Sequence, residues 1–337
     1  MIVFLKRLLK SLTTKKNKIT SLKTKRALLL FLCFSFFFIP SQNMYATIQA
    51  FSTNSLVEEI DFPIPLATFY PLNKNSIPTP LLTAESAVVV DRDSAVLVFG
   101  KNEKAQLFPA STVKVMTALV ALEHYSFDDI SIVKDPDDEG QDMELLEDER
   151  ITVKNLLYGV LVSSANDAAL ILAQNYPGGT KAFVKRMNEK AKELNLNDTF
   201  FANPTGLDSD NNGDLLISYS YSTALDLARL AAVALKNENI LEMVSTPYIK
   251  VTDITGEITH YLYNINELLG KVPGMKGLKT GWTEEAGECL IGYTEREERG
   301  IITVVLKSEN RFLETQKLVD WTFENYIWED ITPSIRN

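Results

Sequence analysis

Three short segments in fixed chain order constrain this sequence more than anything else in it: Ser111-Thr112-Val113-Lys114, Ser164-Ala165-Asn166 and Lys279-Thr280-Gly281. Together they supply two serines, an amide and two lysines with no histidine, the inventory of a serine acyl-transfer site whose base is a lysine. A chain that uses them together must fold so that all three converge.

Each segment alone is a weak signal, and context selects among its copies. Ser131-Ile132-Val133-Lys134 repeats the S-x-x-K spacing. Ser111, however, opens an apolar-periodic run through Val115, Met116, Leu119 and Val120 to Leu122 that predicts a helix with Ser111 in its first turn. Residues i and i+3 of a helix share a face, so the Lys114 amine reaches the Ser111 hydroxyl. Ser131 instead lies in a β-branched stretch that turns i and i+3 to opposite faces, and is set aside. Ser209-Asp210-Asn211 offers a more literal serine motif, yet it sits in a run of Asp, Asn and Gly that reads as turn chemistry. Ser164 follows the apolar run Leu156 to Val162 and precedes Asn166-Asp167-Ala168-Ala169, a short connection between two helices where side chains can face a cleft. Lys279-Thr280-Gly281 occurs once, and its glycine permits close backbone approach by a substrate lying along a strand edge.

At 337 residues and 45% hydrophobic content the chain can bury a sizeable core. Its net charge of −10 is unevenly spread: residues 1–26 hold nine Lys or Arg and no acid, leaving 25 basic against 44 acidic residues, a balance of −19, in the rest. So acidic a domain is a poor partner for nucleic-acid phosphates. The basic run leads into Ala27 to Ile39, thirteen residues long, closer to the hydrophobic region of an export signal than to a membrane span of about 20 residues. The expectation is export, with residues 1–46 as a signal peptide or a retained N-terminal anchor. Residues 47–83, with Pro63, Pro65, Pro71, Pro78 and Pro80, read as a linker, and 84–330 as one catalytic domain with no separate C-terminal domain. Cys289 has no partner in the mature region and is expected as a small buried side chain in a strand.

Apolar patterning predicts a hairpin over 84–100 with its turn at Asp91-Arg92-Asp93-Ser94. Helical spacing follows at 156–163, 167–174, 180–194 and 222–236. Strands are then expected at 248–254, 257–262, 288–294 and 301–307, and a final helix at 312–326. The stretch 134–150 holds nine acids and reads as a solvated loop. Asp208 to Gly213 begins like a calcium loop but carries Tyr219 where the twelfth position needs Glu. His124 and His260 lack metal-ligand spacing and are read as helix-end or turn residues. No metal and no cofactor is expected.

Beyond the three segments, the chain holds Phe108-Pro109-Ala110-Ser111 through Thr117-Ala118-Leu119, Asn203-Pro204-Thr205-Gly206-Leu207, Tyr221-Ser222-Thr223-Ala224 and Lys276 to Thr283. With these it resembles, from about residue 84 to 326, the serine D-alanyl-D-alanine carboxypeptidase family of low-molecular-mass penicillin-binding proteins. The resemblance implies an α+β fold of the β-lactamase/transpeptidase type, with an antiparallel sheet flanked by helices, an inserted helical lobe and a cleft between them. It also implies that Ser111 attacks the carbonyl between the terminal D-alanines of a peptidoglycan stem peptide, with Lys114 as base. Ser164 would relay the proton to the leaving amine, and Asn166 would hold Lys114 and the substrate amide. The backbone N–H groups of Ser111 and Trp282 would form the oxyanion site, and Lys279, Thr280, Gly281 and Arg311 the site for the terminal carboxylate. β-Lactams would acylate Ser111, and any membrane partner would be met only through an uncleaved N-terminal segment.

Two positions depart from the family pattern: Ala165 stands where many relatives have Gly or Asp, and Trp282 replaces the histidine frequent after K-T-G. A lysine at its ordinary value of about 10.4 is almost wholly protonated at pH 7. The base role therefore requires a depressed value at Lys114, expected from burial and from the charge of Lys279. Rival readings are a cross-link D,D-endopeptidase, a β-lactamase, for which no E-x-x-L-N segment supplies the deacylating glutamate, and an inactive peptidoglycan-binding module.

Overall fold

The computed structural model describes residues 69–136, 140–208 and 219–330. The basic and apolar segment 1–46, most of the proline-rich stretch, Ser209-Asp210-Asn211 and most of the calcium-like run lie outside the described residues.

Phe69–Asn73 forms β1, a strand inside the stretch read as linker, and pairs antiparallel with β11 (Tyr326–Asp330) at the far end of the chain. The run Ser86–Asp91 is β2 and is buried along its whole length, as a strand covered on both faces must be. The expected turn joins it to β3 (Leu97–Lys101), and its other side pairs with β10 (Arg299–Ser308). With β9 (Gly287–Arg296) and β8 (Met275–Thr283) these make a five-stranded antiparallel sheet of order β3-β2-β10-β9-β8. Lys279-Thr280-Gly281 thus lies on an edge strand.

Alternation along the strands divides the core in two. Val88 and Val90 pack with the larger cluster, which includes Val115, Met116, Leu172 and Leu227 from helices. Ala87 and Val89 turn to the opposite face and meet Leu318 and Trp321. The latter belong to α7 (Arg311–Asn325), so helices cover both faces of the sheet.

On the larger-cluster side, a 3-10 turn at Ala110–Val113 leads into α1 (Lys114–His124). Then come α2 (Val153–Tyr158), which widens into a π turn at Gly159–Ser163, α3 (Asn166–Gln174), α4 (Gly179–Glu193) and α5 (Ala224–Ala234). A further helix, α6 (Glu238–Ser245), was not expected, because eight residues with Ile240, Met243 and Val244 inward give too short a periodic signal. Two small antiparallel pairs complete the fold: β4 (Ile130–Ile132) with β5 (Arg150–Thr152), and β6 (Tyr248–Thr252) with β7 (Thr259–Tyr263).

Cys289 is wholly buried in β9, and His124 ends α1, both as expected. His260 is not a turn residue: it lies in β7 and is buried. Its Nδ1 stands 2.7 Å from the Met143 carbonyl oxygen and its Nε2 2.8 Å from Glu149 Oε1, so both ring nitrogens have hydrogen-bond partners. Glu149 is buried too, so the acidic stretch is only partly the solvated loop it resembles in composition. Charge counting misses this because the burial comes from the distant β7.

Candidate active site

Ser111 sits in the 3-10 turn that opens α1, and Lys114 follows on the same face with its Nζ 3.1 Å from Ser111 Oγ. The S-x-x-K segment at Ser131 does not form such a pair, since Ser131 is buried in β4 and Lys134 is exposed on an ion pair with Asp148. Ala110, just before Ser111, holds a left-handed φ of 47°, strain for a residue with a Cβ. It is pinned from two sides. A Cβ at Gly206, where φ is +81°, would stand 2.1 Å from the Ala110 carbonyl oxygen. A Cβ at Gly281 would stand 3.0 Å from Ala110 Cβ, Pro109 O and Ser111 N alike. The close approach that Gly281 permits is therefore first of all between β8 and the turn that carries Ser111, which locks the edge strand beside the serine.

Lys114 is completely buried. Its Nζ lies 2.6 Å from Asn166 Oδ1 and 2.8 Å from the Thr205 carbonyl oxygen. Burial pushes its pKa down to about 7, opposed by the charge of Asp167. Lys279, expected from the sequence to contribute, is not among the causes of that depression. The repulsion falls on Lys279 instead, which is held well below the usual lysine range by burial first, then by Lys114 and Arg311. With both hydrogens of a neutral Lys114 amine directed at Asn166 and Thr205, its lone pair faces Ser111.

Ser164 follows the π turn with a left-handed φ of 65°. Its Oγ is buried and has no hydrogen-bond partner among the described residues, and Thr280 Oγ1 on β8 is in the same condition. Asn166 opens α3, its backbone N–H donating to Gln141 O at 2.6 Å. The adjacent Asp167, which sequence reasoning passed over, is buried and accepts from the Met143 and Leu145 N–H groups at 3.1 Å each. Burial raises its pKa. It thereby fixes part of the acidic stretch as a wall next to Asn166. Thr205 was also missed as an individual contributor, since it acts through a backbone carbonyl that no side-chain motif encodes.

These groups border one cleft of about 600 Å³. Ser111, Ser164 and Asn166 line it from the helical side, and Thr280, Gly281 and Trp282 from β8. Arg311 also lines it and is more than a solvated arginine: its Nη1 donates to Gly281 O at 2.8 Å and its guanidinium carbon lies 4.8 Å from the Phe312 ring centre. Burial lowers its pKa. Lys114 and Lys279 sit fully buried behind this surface. Trp282 projects outward, 61% exposed, at the rim. Such a cleft offers a hydroxyl nucleophile, an amine poised near neutral pH to take its proton, and the Arg311 guanidinium at its edge, suited to a carboxylate.

The sequence profile of the D-alanyl-D-alanine carboxypeptidase family matches residues 73–310. D-alanyl-D-alanine carboxypeptidase DacF of Bacillus subtilis is 34% identical over 253 residues, covering 72% of this chain and 63% of that protein. The chain thus spans less than two thirds of that relative. A D-alanyl-D-alanine endopeptidase of Escherichia coli is 31% identical over 250 residues, covering 72% of this chain and 78% of that protein. Among solved structures, penicillin-binding protein D2 from Listeria monocytogenes in its ampicillin-bound form superposes with a TM-score of 0.64 at 31% identity, over 73% of this chain and all of that one. The expected fold, an antiparallel sheet flanked by helices of the penicillin-binding type, is the one observed.

Proposed function

The chain belongs to the D-alanyl-D-alanine carboxypeptidase family, and we propose that it is a serine D,D-carboxypeptidase that removes the terminal D-alanine from peptidoglycan stem peptides. The observation that carries the reading is the wholly buried Lys114, with a pKa near 7, standing 3.1 Å from Ser111 Oγ. A neutral Lys114 takes the Ser111 proton as Oγ bonds to the carbonyl carbon of the penultimate D-alanine. The oxyanion is met by the N–H groups of Ser111 and Trp282. The C–N bond then breaks, and the proton passes from Lys114 through Ser164 Oγ to the departing amine of D-alanine. Water attacks the acyl-enzyme and gives its proton to Lys114, which passes it to Ser111 Oγ as the ester bond breaks, so that both groups return to their starting state. Asn166 holds the Lys114 amine in register. Lys279, Thr280, Gly281 and Arg311 form the seat of the terminal carboxylate, and the two partnerless hydroxyls of Ser164 and Thr280 support a ligand between them.

β-Lactams, whose strained amide presents the same carbonyl, acylate Ser111 in this reading. A second reading, cleavage of D,D cross-links, is favoured by the E. coli relative named an endopeptidase. It uses the same residues on a bulkier leaving amine. The substrate places the catalytic domain outside the cytoplasmic membrane, carried there by residues 1–46 as a signal or anchor; among the described residues no helix is long and apolar enough to cross a membrane. We take the catalytic domain to begin near residue 69, ahead of the 84 expected from patterning, because β1 pairs with β11. The test is D-alanine release from an acyl-Lys-D-Ala-D-Ala peptide by the full chain. Release that Ser111→Ala abolishes is the expected result, and none from folded wild-type protein would overturn the carboxypeptidase reading.

A further inference from the structure

The β6–β7 pair alternates strictly. Val251, His260 and Leu262 are buried against the rest of the molecule, while Tyr248, Lys250 and Tyr261 turn outward with Tyr263. The three tyrosines are 45%, 59% and 63% exposed. Register sets Tyr248 directly across from Tyr263, their ring centres 4.8 Å apart, and Lys250 across from Tyr261. Tyr261 and Tyr263 are two residues apart, about 7 Å along the strand. Beyond the contact between Tyr248 and Tyr263, these three large rings turn much of their surface to solvent on one face, and contiguous exposed aromatics mark recognition surfaces. In a chain of 44 acids, the six outward strand positions Tyr248, Lys250, Thr252, Thr259, Tyr261 and Tyr263 include none.

The face also continues the cleft. β7 ends at Tyr263, and Ile265, two residues on, lines the cleft and donates its N–H to Val162 O, two residues before Ser164. A ligand on the tyrosines is therefore contiguous with a peptide lying at Ser111.

We infer that the Tyr248, Tyr261 and Tyr263 face binds the polysaccharide strand of the wall polymer from which the stem peptide hangs, an inference that rests on the D,D-peptidase reading. The chemistry fits a neutral polyhydroxylated chain. Sugar rings present C–H edges that pack on the electron-rich faces of phenol rings, and the tyrosine hydroxyls and Lys250 remain free to hydrogen-bond the sugar hydroxyls. A low-charge ligand also accounts for the absence of acids on an otherwise acidic chain.

The test compares the full chain with Y261S/Y263S on two substrates, a soluble acyl-Lys-D-Ala-D-Ala peptide and isolated pentapeptide-bearing wall sacculi. Co-sedimentation with glycan strands stripped of their peptides serves as a binding readout independent of catalysis. The expected result is soluble-peptide turnover within about twofold of wild type, with sacculus turnover and glycan binding lowered about tenfold, as for loss of aromatic anchors. Y261F/Y263F, which keeps the rings, is expected to restore both. Equal losses on both substrates, unchanged glycan binding in the serine variant, or wild-type dimerisation abolished by it would each overturn the inference. Wild-type protein that binds glycan strands but releases no D-alanine from the soluble peptide would contradict the carboxypeptidase reading and leave the glycan face standing.

Discussion

In the proposed mechanism the chemistry turns on single residues, Lys114 and Gly281 among them. Burial brings the Lys114 pKa from 10.5 to about 7, so the amine is protonated and inert below that value and a free base above it. Acylation, read as kcat/KM for a peptide or as the rate of β-lactam labelling, is expected to climb with pH through about 7 and then level off. A flat profile from about pH 5 to 9 would remove Lys114 from the base role. Lys114→Met is expected to slow acylation by about 10²–10⁴-fold, the usual contribution of a positioned base. Gly281→Ala tests packing. Its methyl would press on Pro109 O, Ala110 and Ser111 N at 3.0 Å, costing about 1–3 kcal/mol in chemical denaturation and lowering kcat through displacement of the Ser111 N–H. Of these residues the serines, lysines and Asn166 were readable from spacing. Gly206, Asp167 and the Thr205 carbonyl were not, since a close approach and a backbone acceptor leave no side-chain signature.

At the scale of elements, the segment 140–149 is held from two directions, by Asp167 at the start of α3 and by His260 from β7. His260→Ala leaves Glu149 buried without its main side-chain partner, and a loss of about 3–5 kcal/mol is expected in thermal or denaturant unfolding. Glu149→Gln keeps a hydrogen bond to the ring and is expected to cost less; equal costs would show that packing alone holds the pair. The same elements mark where sequence reading stops. Helices α1, α3, α4, α5 and α7 and the 84–100 hairpin were legible because each has its own period and turn signals. The inward turn of His260 and Glu149 was not, because alternation identifies a buried face but not the residue that meets it across 111 positions. The short α6 and the five-residue β1 and β11 fell below the length at which periodicity is visible.

For the whole molecule, the sheet brings β2 beside β10 from opposite ends of the domain, and β1 and β11 close that circuit. The segment between β1 and β2 is also tied down: Ile77 N–H donates to Asn325 Oδ1, Trp321 Nε1 donates to Ile77 O, and Ala84 N–H donates to Glu314 Oε2. A chain beginning at residue 69 is thus expected to unfold at the temperature of the intact domain. One beginning at 84 is expected to unfold lower, by about 2–4 °C for each kcal/mol lost. Identical midpoints would make β1 an ornament of the fold. The α+β class was readable because strands flank a helical middle in the sequence, whereas the pairing of β1 with β11 was hidden by prolines that resemble a linker in composition. The convergence of three distant segments on one cleft is the claim on which the rest depends. Mass spectrometry of the full chain after exposure to a β-lactam tests it most directly: a covalent adduct on the peptide containing Ser111, absent from Ser111→Ala, is the predicted result. An adduct on another residue, or none on folded protein, would contradict it.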